Sequence, residues 1–584
     1  MNRNAGRKQS QSYLHHALIP YLGNKRRLLP ALERVFSRFE PAGRPTAFAD
    51  PFAGSGAVTR LARSRGYRIT ASDIEPYATI LIRAHIGISP GRADRLFRDF
   101  GGLGEAIRHL NDVGSKARID RSRRGYIATN FAPERTDSPR IGFERLFYTA
   151  ENARFLDAVR EEISRLAASV PPVDVTDFEA LLLAPLLVEA AVHVNTSGVF
   201  KAYHRGFGGH GRDALKRIMA PMELEVPLLE DGPDAHIARC DAVRLFQDLP
   251  EENSFFDLVY LDPPYNSHQY GSNYFMLNTI ARWDKPAVSS DTDSDGVLLQ
   301  KAGIRSDWKE TRSAFCSSRT ASGAFSELFS SIHAETIVLS YNTEGIVPFD
   351  LLCEFMAEKG GLSVETLEYT QYRGGRQSAE RKNHTTEILL ISSRSVDSRG
   401  TGAIPLKDAR ADSVRVEHAL RIRAISRSSF VPARVRSVFG CSDACVSVGG
   451  GFLQWRLGYR LTVSASLDHL VRASTERLSE LRAQLEKCAC ADNTEELSVL
   501  ADLIPAAEPR GELSKTRLEQ RYLTLLRKLA HPRYVDQYQN YLHLFVNMRG
   551  KSERCVRELA KLADLTTSRL GGVAEAATPR EKET

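Results

Sequence analysis

The stretch AFADPFAGSGAVTRLARSRGYRITASDIEPYA, residues 47–78, holds two short apolar runs, each closed by an aspartate, with an amphipathic segment between them. The first run ends at Asp50, a turn carrying Gly54, Ser55 and Gly56 follows, and the spacing predicts a helix from Ala57. The second run ends at Asp73. Strand, glycine turn, helix and strand in that order are the repeating unit of an α/β sheet. Glycines at such a turn let the backbone approach a ligand at the carboxyl edge of the sheet. An acid about twenty residues further on is placed for a ribose hydroxyl. A dinucleotide site would meet the same description, but the spacing is not G-x-G-x-x-G, because the third position is Thr59. Outward from this unit, the strand candidates are Thr46–Phe48, Arg68–Ala71, Asp257–Leu261, Thr336–Ser340 and Glu387–Ile391.

The third of these runs into DLVYLDPPYNSHQYGSNY, residues 257–274. Two prolines cannot extend a central ladder, so the strand must stop at Asp262. What remains is a stiff platform, Asp262-Pro263-Pro264-Tyr265, with one carboxylate, free carbonyls and a ring. Upstream, IPYLGNKRRLLP (19–30) places Lys25 beside Tyr21 in a Gly-Asn turn, where its cation is expected to receive a carboxylate. In ARCDAVRLF (238–246) another short strand is expected to end at Asp241, an acceptor for an adenine amine. A pocket built from Tyr21, Lys25, Asp50, Phe52, Gly54, Gly56, Asp73 and Asp241 suits S-adenosylmethionine, which has a ribose, an adenine and an amino-acid carboxylate but no phosphate.

At 584 residues, 42% of them hydrophobic and 26% charged, the chain has room for more than one domain of ordinary soluble composition. The most apolar stretch, Phe178 to Val194, is interrupted by Glu179, Pro185 and Glu189 and reads as a buried helix rather than a membrane span. The start, MNRNAGRKQSQS, has no apolar core region, so no secretory signal is expected. Eight cysteines in this length point to a reducing cytoplasm. The pairs Cys441/Cys445 and Cys488/Cys490 lack the C-x2-C spacing of zinc ligands and are expected to be buried thiols, with no metal bound.

Together these residues resemble the Dam-like adenine-N6 methyltransferases of DNA, and among them the modification methylases that accompany type IIS restriction endonucleases. The order is shared: the lysine turn (Leu22 to Leu28), the glycine loop (Asp50 to Gly56), the acid at Asp73, a long insert, then Asp262 to Tyr265. The stretches ERLFYTAENARFLDAVR (144–160), HVNTSGVFKAYHR (193–205), DPPYNSHQYGSNYFMLNTIARWD (262–284) and IVLSYNTEGIV (337–347) are similar to segments of that family. The resemblance implies a Rossmann-like, S-adenosylmethionine-dependent methyltransferase sheet over residues 13–395, with a helical insert at about 87–247 for target recognition. It also implies double-stranded DNA as substrate, a cognate restriction endonuclease or other defence protein as partner, and no membrane. Asp262 and the Pro263 carbonyl would accept the N6 hydrogens, Pro264 would stiffen the platform, and Tyr265 would stack on an extruded base. Transfer would be direct, with no covalent intermediate. Asp at position 262 points to adenine. Cytosine N4 in DNA, adenine in RNA, and an inactive nucleic-acid-binding methylase fold stay open as alternatives.

Within the insert, NTSGVFKAYHRGFGGHGR (195–212) offers Lys201, His204, Arg205 and Arg212 among glycines, for phosphates and base edges. A plain flexible loop would read the same way. Residues 1–12 and 571–584 read as tails, 396–412 as a linker, and 413–570 as a C-terminal α+β and helical extension. The net charge of +7 lies entirely beyond residue 400, where 29 basic face 22 acidic residues. Between Val414 and Leu461, eight arginines face only Glu417 and Asp443, in a pattern expected to be β-like; helices are expected from Leu467 to about Leu565. An accessory DNA-contacting domain and a protein-interaction module both fit that charge.

Overall fold

The computed structural model describes residues 12–570 except 123, 210–213, 343–344, 368–386, 396–403, 509–510, 512, 531–533 and 549–550. The described residues form two compact units, divided at residue 410.

In the first unit an eight-stranded sheet is built from β1 (Ala47–Asp50), β2 (Arg68–Ser72), β3 (His236–Ala238), β4 (Phe255–Leu261), β5 (His333–Asn342), β6 (Gly361–Leu367), β7 (Glu387–Ser393) and β8 (Ile404–Leu406). Their order is β3-β2-β1-β4-β5-β7-β6-β8. The first five run parallel, and β7 is antiparallel to both β5 and β6. Strand β1 is buried throughout and β4 from its second residue on. That is why both read as continuous apolar runs rather than alternations. The chain leaves β1 in one direction, toward β2 and β3, and later leaves β4 in the other, toward β5. Adjacent β1 and β4 therefore mark the switch point, where an open α/β sheet forms a crevice at its carboxyl edge. Asp50 and Asp262 stand at that edge.

The insert forms helices Pro90–Leu96, Leu103–Ile119, Tyr126–Asn130, Ala150–Ala167, Pro172–Val192 and Leu215–Met219. Helix Pro172–Val192 carries the apolar stretch as far as Val192 and from Phe178 on is buried on nearly all sides, Pro185 included. It shares one core with Tyr77 and Leu81 on one helix and with Tyr274 to Ile280, directly after the proline platform. The insert and the segment after the platform thus share one core. The insert ends before 236, because β3 belongs to the central sheet, pairing with β2. No helix among the described residues is long and apolar enough to cross a membrane.

Several expectations need correction. The stretch expected to link the units contributes Ile404–Leu406 as an edge strand on β6, while 396–403 lie outside the described residues. Residues 1–11 and 571–584 lie outside them too. The basic segment expected to be β-like is helical over Ala409–Ile425 and Pro432–Phe439, and only Cys445–Val448, Gly451–Arg456 and Arg460–Val463 form a small antiparallel sheet. Ser413, Val416, Ala419, Leu420, Ile422 and Ala424 are the buried residues of the first helix, recurring mostly three and four apart, a spacing that a short alternating run conceals. Helices then follow from Leu467 to Leu570. Cys441 and Cys445 are exposed, not buried, whereas Cys488 is buried.

Candidate active site

The turn after β1 is held from inside. Asp50 is buried, taking the Thr59 hydroxyl at 2.7 Å and the Phe52 amide at 3.3 Å. Burial pushes its carboxyl up to about 7. Gly54 has φ +52°, and a Cβ there would stand 2.9 Å from the Tyr21 ring. Its amide donates to Asp73 Oδ2 at 2.9 Å, while the Glu75 amide donates to Asp73 Oδ1 at 2.9 Å. Gly56, at φ +76°, precedes helix Ala57–Ser64. Asp73 therefore ties the two strand-end turns together, and burial lifts it to about 6.

Tyr21 stacks on Tyr274 with centroids 5.1 Å apart and lies 5.3 Å from Tyr270. The Leu22 amide donates to the Tyr274 hydroxyl at 2.8 Å, and the Tyr270 hydroxyl donates to the Leu22 carbonyl at 3.1 Å. These contacts pin the lysine turn to the segment after the prolines. Lys25 is buried beneath it, with Nζ 2.8 Å from Asp262 Oδ1, 2.8 Å from Glu387 Oε1 and 3.3 Å from the Gly23 carbonyl. An ammonium has three donors. All three are used within the protein, so the expected reception of an incoming carboxylate does not match the geometry; Lys25 is instead the partner of Asp262. Burial works against its charge, but the two carboxylates outweigh that and hold it above the usual lysine range.

Asp262 leaves 18% of its side chain exposed. Burial raises its carboxyl to about 6, with Lys25 opposing and Glu387 reinforcing the shift. The platform is braced from β5 and the segment after it: the Tyr265 carbonyl accepts from the Ile346 amide at 3.1 Å, and the Tyr265 ring meets that of Tyr341 in β5 edge-on at 5.9 Å.

These groups surround a cavity open to solvent. Of the residues expected in the site, Tyr21, Phe52, Asp73, Asp241 and Asp262 to Tyr265 line it, while Lys25, Asp50, Gly54 and Gly56 stand behind the lining. Asp241 does not end a strand. β3 stops at Ala238, and Asp241 caps helix Ala242–Gln247 by accepting from the Val243 amide at 2.9 Å. Glu75, Tyr270, Thr311 and Ser313 also line the cavity. Sequence reasoning missed all four, although Glu75 lies two residues after Asp73 and Tyr270 lies within the proline-led stretch. Glu75 is 1% exposed; Oε2 takes Asn278 Nδ2 at 2.6 Å, while Oε1 is buried with no hydrogen-bond partner of good geometry among the described residues. Thr311 lies beside it, but the Thr311 hydroxyl donates to Trp308. A buried acceptor left open at a cavity with Asp73 and Asp241 fits a ligand with several hydroxyl and amine donors.

In the insert, Lys201 and Arg205 are exposed and His204 is half-buried. The loop is not a free strand of chain: buried Asn195 accepts from the Gly208 amide at 3.1 Å and donates toward the His204 and Gly206 carbonyls. Arg212 lies outside the described residues.

No solved structure matches the chain. A family model described as D12 class N6 adenine-specific DNA methyltransferase matches residues 21–295. Type II methyltransferase M.NlaIII of Neisseria lactamica is 30% identical over 379 residues, 64% of this chain and 98% of that protein. Type II methyltransferase M.CviAII of Paramecium bursaria Chlorella virus 1 is 28% identical over 358 residues, 61% of this chain and 93% of that one. Type II methyltransferase M.FokI of Planomicrobium okeanokoites is 26% identical over 333 residues, 56% of this chain and 45% of its own. With the strand order, the switch-point crevice and the Asp-Pro-Pro-Tyr platform in place, the chain belongs to the D12 class of N6 adenine-specific DNA methyltransferases.

Proposed function

We propose that the cavity binds S-adenosylmethionine and an adenine turned out of duplex DNA, and that the chain methylates a specific sequence as the modification arm of a restriction–modification system. The observation that carries the reading is Asp262, partly open at the switch-point crevice and braced by Lys25 from behind. When bound, S-adenosylmethionine supplies an electrophilic methyl group.

Each residue then has a task set by its position. Asp73, Asp241 and Glu75 offer acceptors for ribose hydroxyls and amines, while Tyr21 and Phe52 supply apolar walls. Asp50, Gly54 and Gly56 shape the turn that allows this approach. Asp262 and the Pro263 carbonyl accept the N6 hydrogens and turn the nitrogen lone pair toward the cavity, a matter of alignment. Pro264 keeps the platform stiff, and Tyr265 stacks on the extruded base. Lys201, His204 and Arg205 would reach phosphates and base edges, and swapping 195–212 should change the methylated motif. Of the alternatives left open by the sequence, the family assignment favours adenine in DNA.

Replacing Asp262 with Ala should lower methylation of duplex DNA at least about 10²-fold, as loss of alignment and of a proton acceptor requires. Calorimetry should find S-adenosylmethionine affinity within about threefold of wild type, because Asp262 faces the amine. Near-wild-type methylation by this variant would defeat the reading.

For the second unit, the excess of seven positive charges beyond residue 400 supports an accessory contact with DNA phosphates. DNA affinity should then fall more steeply with salt in the full chain than after charge-neutralising substitution of exposed Arg456 and Arg477. An unchanged slope would favour a protein partner for this unit.

A further inference from the structure

Glu387 is the first residue of β7, far in sequence from every motif of the site. Because β7 runs antiparallel to β5, its beginning meets the end of β5, and Glu387 pairs with Asn342. The reversal brings a strand-starting residue to the carboxyl edge of the parallel strands, where the cavity opens. Glu387 is 3% exposed, accepts the Ser340 hydroxyl at 2.8 Å, and places Oε1 2.8 Å from Lys25 Nζ. It does not line the cavity. A buried carboxylate is costly without compensation, and a second one sharing the same lysine costs more. The pair Lys25–Asp262 would be neutral alone; Glu387 makes the trio net negative when Asp262 is ionised.

We propose that Glu387 is a positioning residue for methyl transfer: it holds Lys25 in an ion pair whether Asp262 is ionised or protonated, so that Asp262 can take up the proton the methylated amine must release. The inference rests on the function proposed above. In the step, the N6 lone pair forms the new nitrogen–carbon bond, and the electron pair of the broken bond stays on the departing sulfur. The nitrogen, now bearing one hydrogen too many, gives it as a proton to Asp262. The trio passes from net −1 to neutral, with Lys25 still paired by Glu387, and Asp262 returns the proton to solvent through its exposed part. Without Glu387, the lone cation would hold Asp262 ionised and weaken it as an acceptor.

The groups that face Asp262 are Lys25 from the turn, Glu387 from β7, Asp50 from β1, and the phenols of Tyr260 and Tyr270, while the Tyr265 ring lies against Lys25. Of these Lys25 draws the Asp262 carboxyl down and Glu387 pushes it up.

The test is the pH profile of kcat/KM for duplex methylation by the full chain, which reports groups of the free enzyme. Glu387→Gln, near-isosteric and able to keep its contacts, should move the acid limb to lower pH by about half a unit or more. It should lower kcat while S-adenosylmethionine binding stays within about threefold. Glu387→Asp, which keeps the charge, should leave the limb near its wild-type position even if kcat falls. An acid limb unmoved in Glu387→Gln, or moved equally in Glu387→Asp, overturns the proposal. If Glu387→Gln does not fold, the uncharged pair Lys25→Met with Glu387→Gln replaces it. There the loss of the cation should move the limb up, and an unmoved limb counts against the proposal. Near-wild-type activity in Asp262→Asn would instead remove the proposed function itself.

Discussion

Each unit buries a charged cluster, and the two are built oppositely. In the second unit, Glu496 takes Arg521 Nε at 2.9 Å and Nη2 at 2.8 Å, the Ser429 hydroxyl at 2.6 Å and the Tyr459 hydroxyl at 2.7 Å. One carboxylate has four donors. Burial alone would raise its pKa, but Arg521 and the hydroxyls outweigh that and hold it below the usual glutamate range. In the first unit, one lysine serves two carboxylates, and Asp262 rises to about 6. Glu75, one of whose oxygens has no well-formed hydrogen bond among the described residues, rises to about 7 mainly through burial. A cluster that satisfies every acceptor holds a fold together. One that leaves acceptors short beside a cavity is arranged for a ligand or a proton.

The contrast can be broken at its structural end first. Glu496→Ala strands Arg521 and two neutral donors and should cost about 3 kcal/mol of stability, measured by denaturant unfolding. A loss below about 0.5 kcal/mol, the size of a surface pair, would show that this cluster is not the stabilising one.

At the site end, Gly54→Ala sets a Cβ against the Tyr21 ring at a backbone angle unfavourable to side chains. Displacing Tyr21 should weaken S-adenosylmethionine binding by about tenfold, a little over 1 kcal/mol. Calorimetry checks this, and unchanged affinity would move the ligand away from the Tyr21 wall.

The smallest effect sharpens the comparison through pH. A carboxyl raised in the folded state, such as Asp50 at about 7, favours the fold at low pH, and that advantage is lost as pH rises through 7. Glu496, held low, behaves oppositely: its contribution is present above the ordinary glutamate value and lost as pH falls. Asp50→Asn should therefore raise Tm by a few degrees at pH 8 and by little at pH 5. An equal shift at both pH values would mean that the gain has nothing to do with the buried charge.

Much of the site was legible because its chemistry is local. A strand that must stop at two prolines, a turn that needs glycines, and an acid at the end of the next strand are each set by backbone constraints within a few residues. The alternation of apolar runs with amphipathic segments was enough for an α/β sheet, and for a buried helix around Pro185. The basic segment after residue 409 was misread for the converse reason: a short run of arginines and apolar residues satisfies two periods at once, and only packing chose the helical one.

What lay beyond the sequence was pairing across distance. Lys25 was expected to receive an incoming carboxylate because it sits in a tight turn beside Tyr21. Its partners, Asp262 and Glu387, arrive on β4's exit and on β7's start, brought together by a parallel crossover and an antiparallel return. Residue types and spacing determined which groups the protein would use, because turns and strand ends obey local sterics. Tertiary structure alone decided which charges meet, because burial leaves each one to find its counterion wherever the sheet order places it.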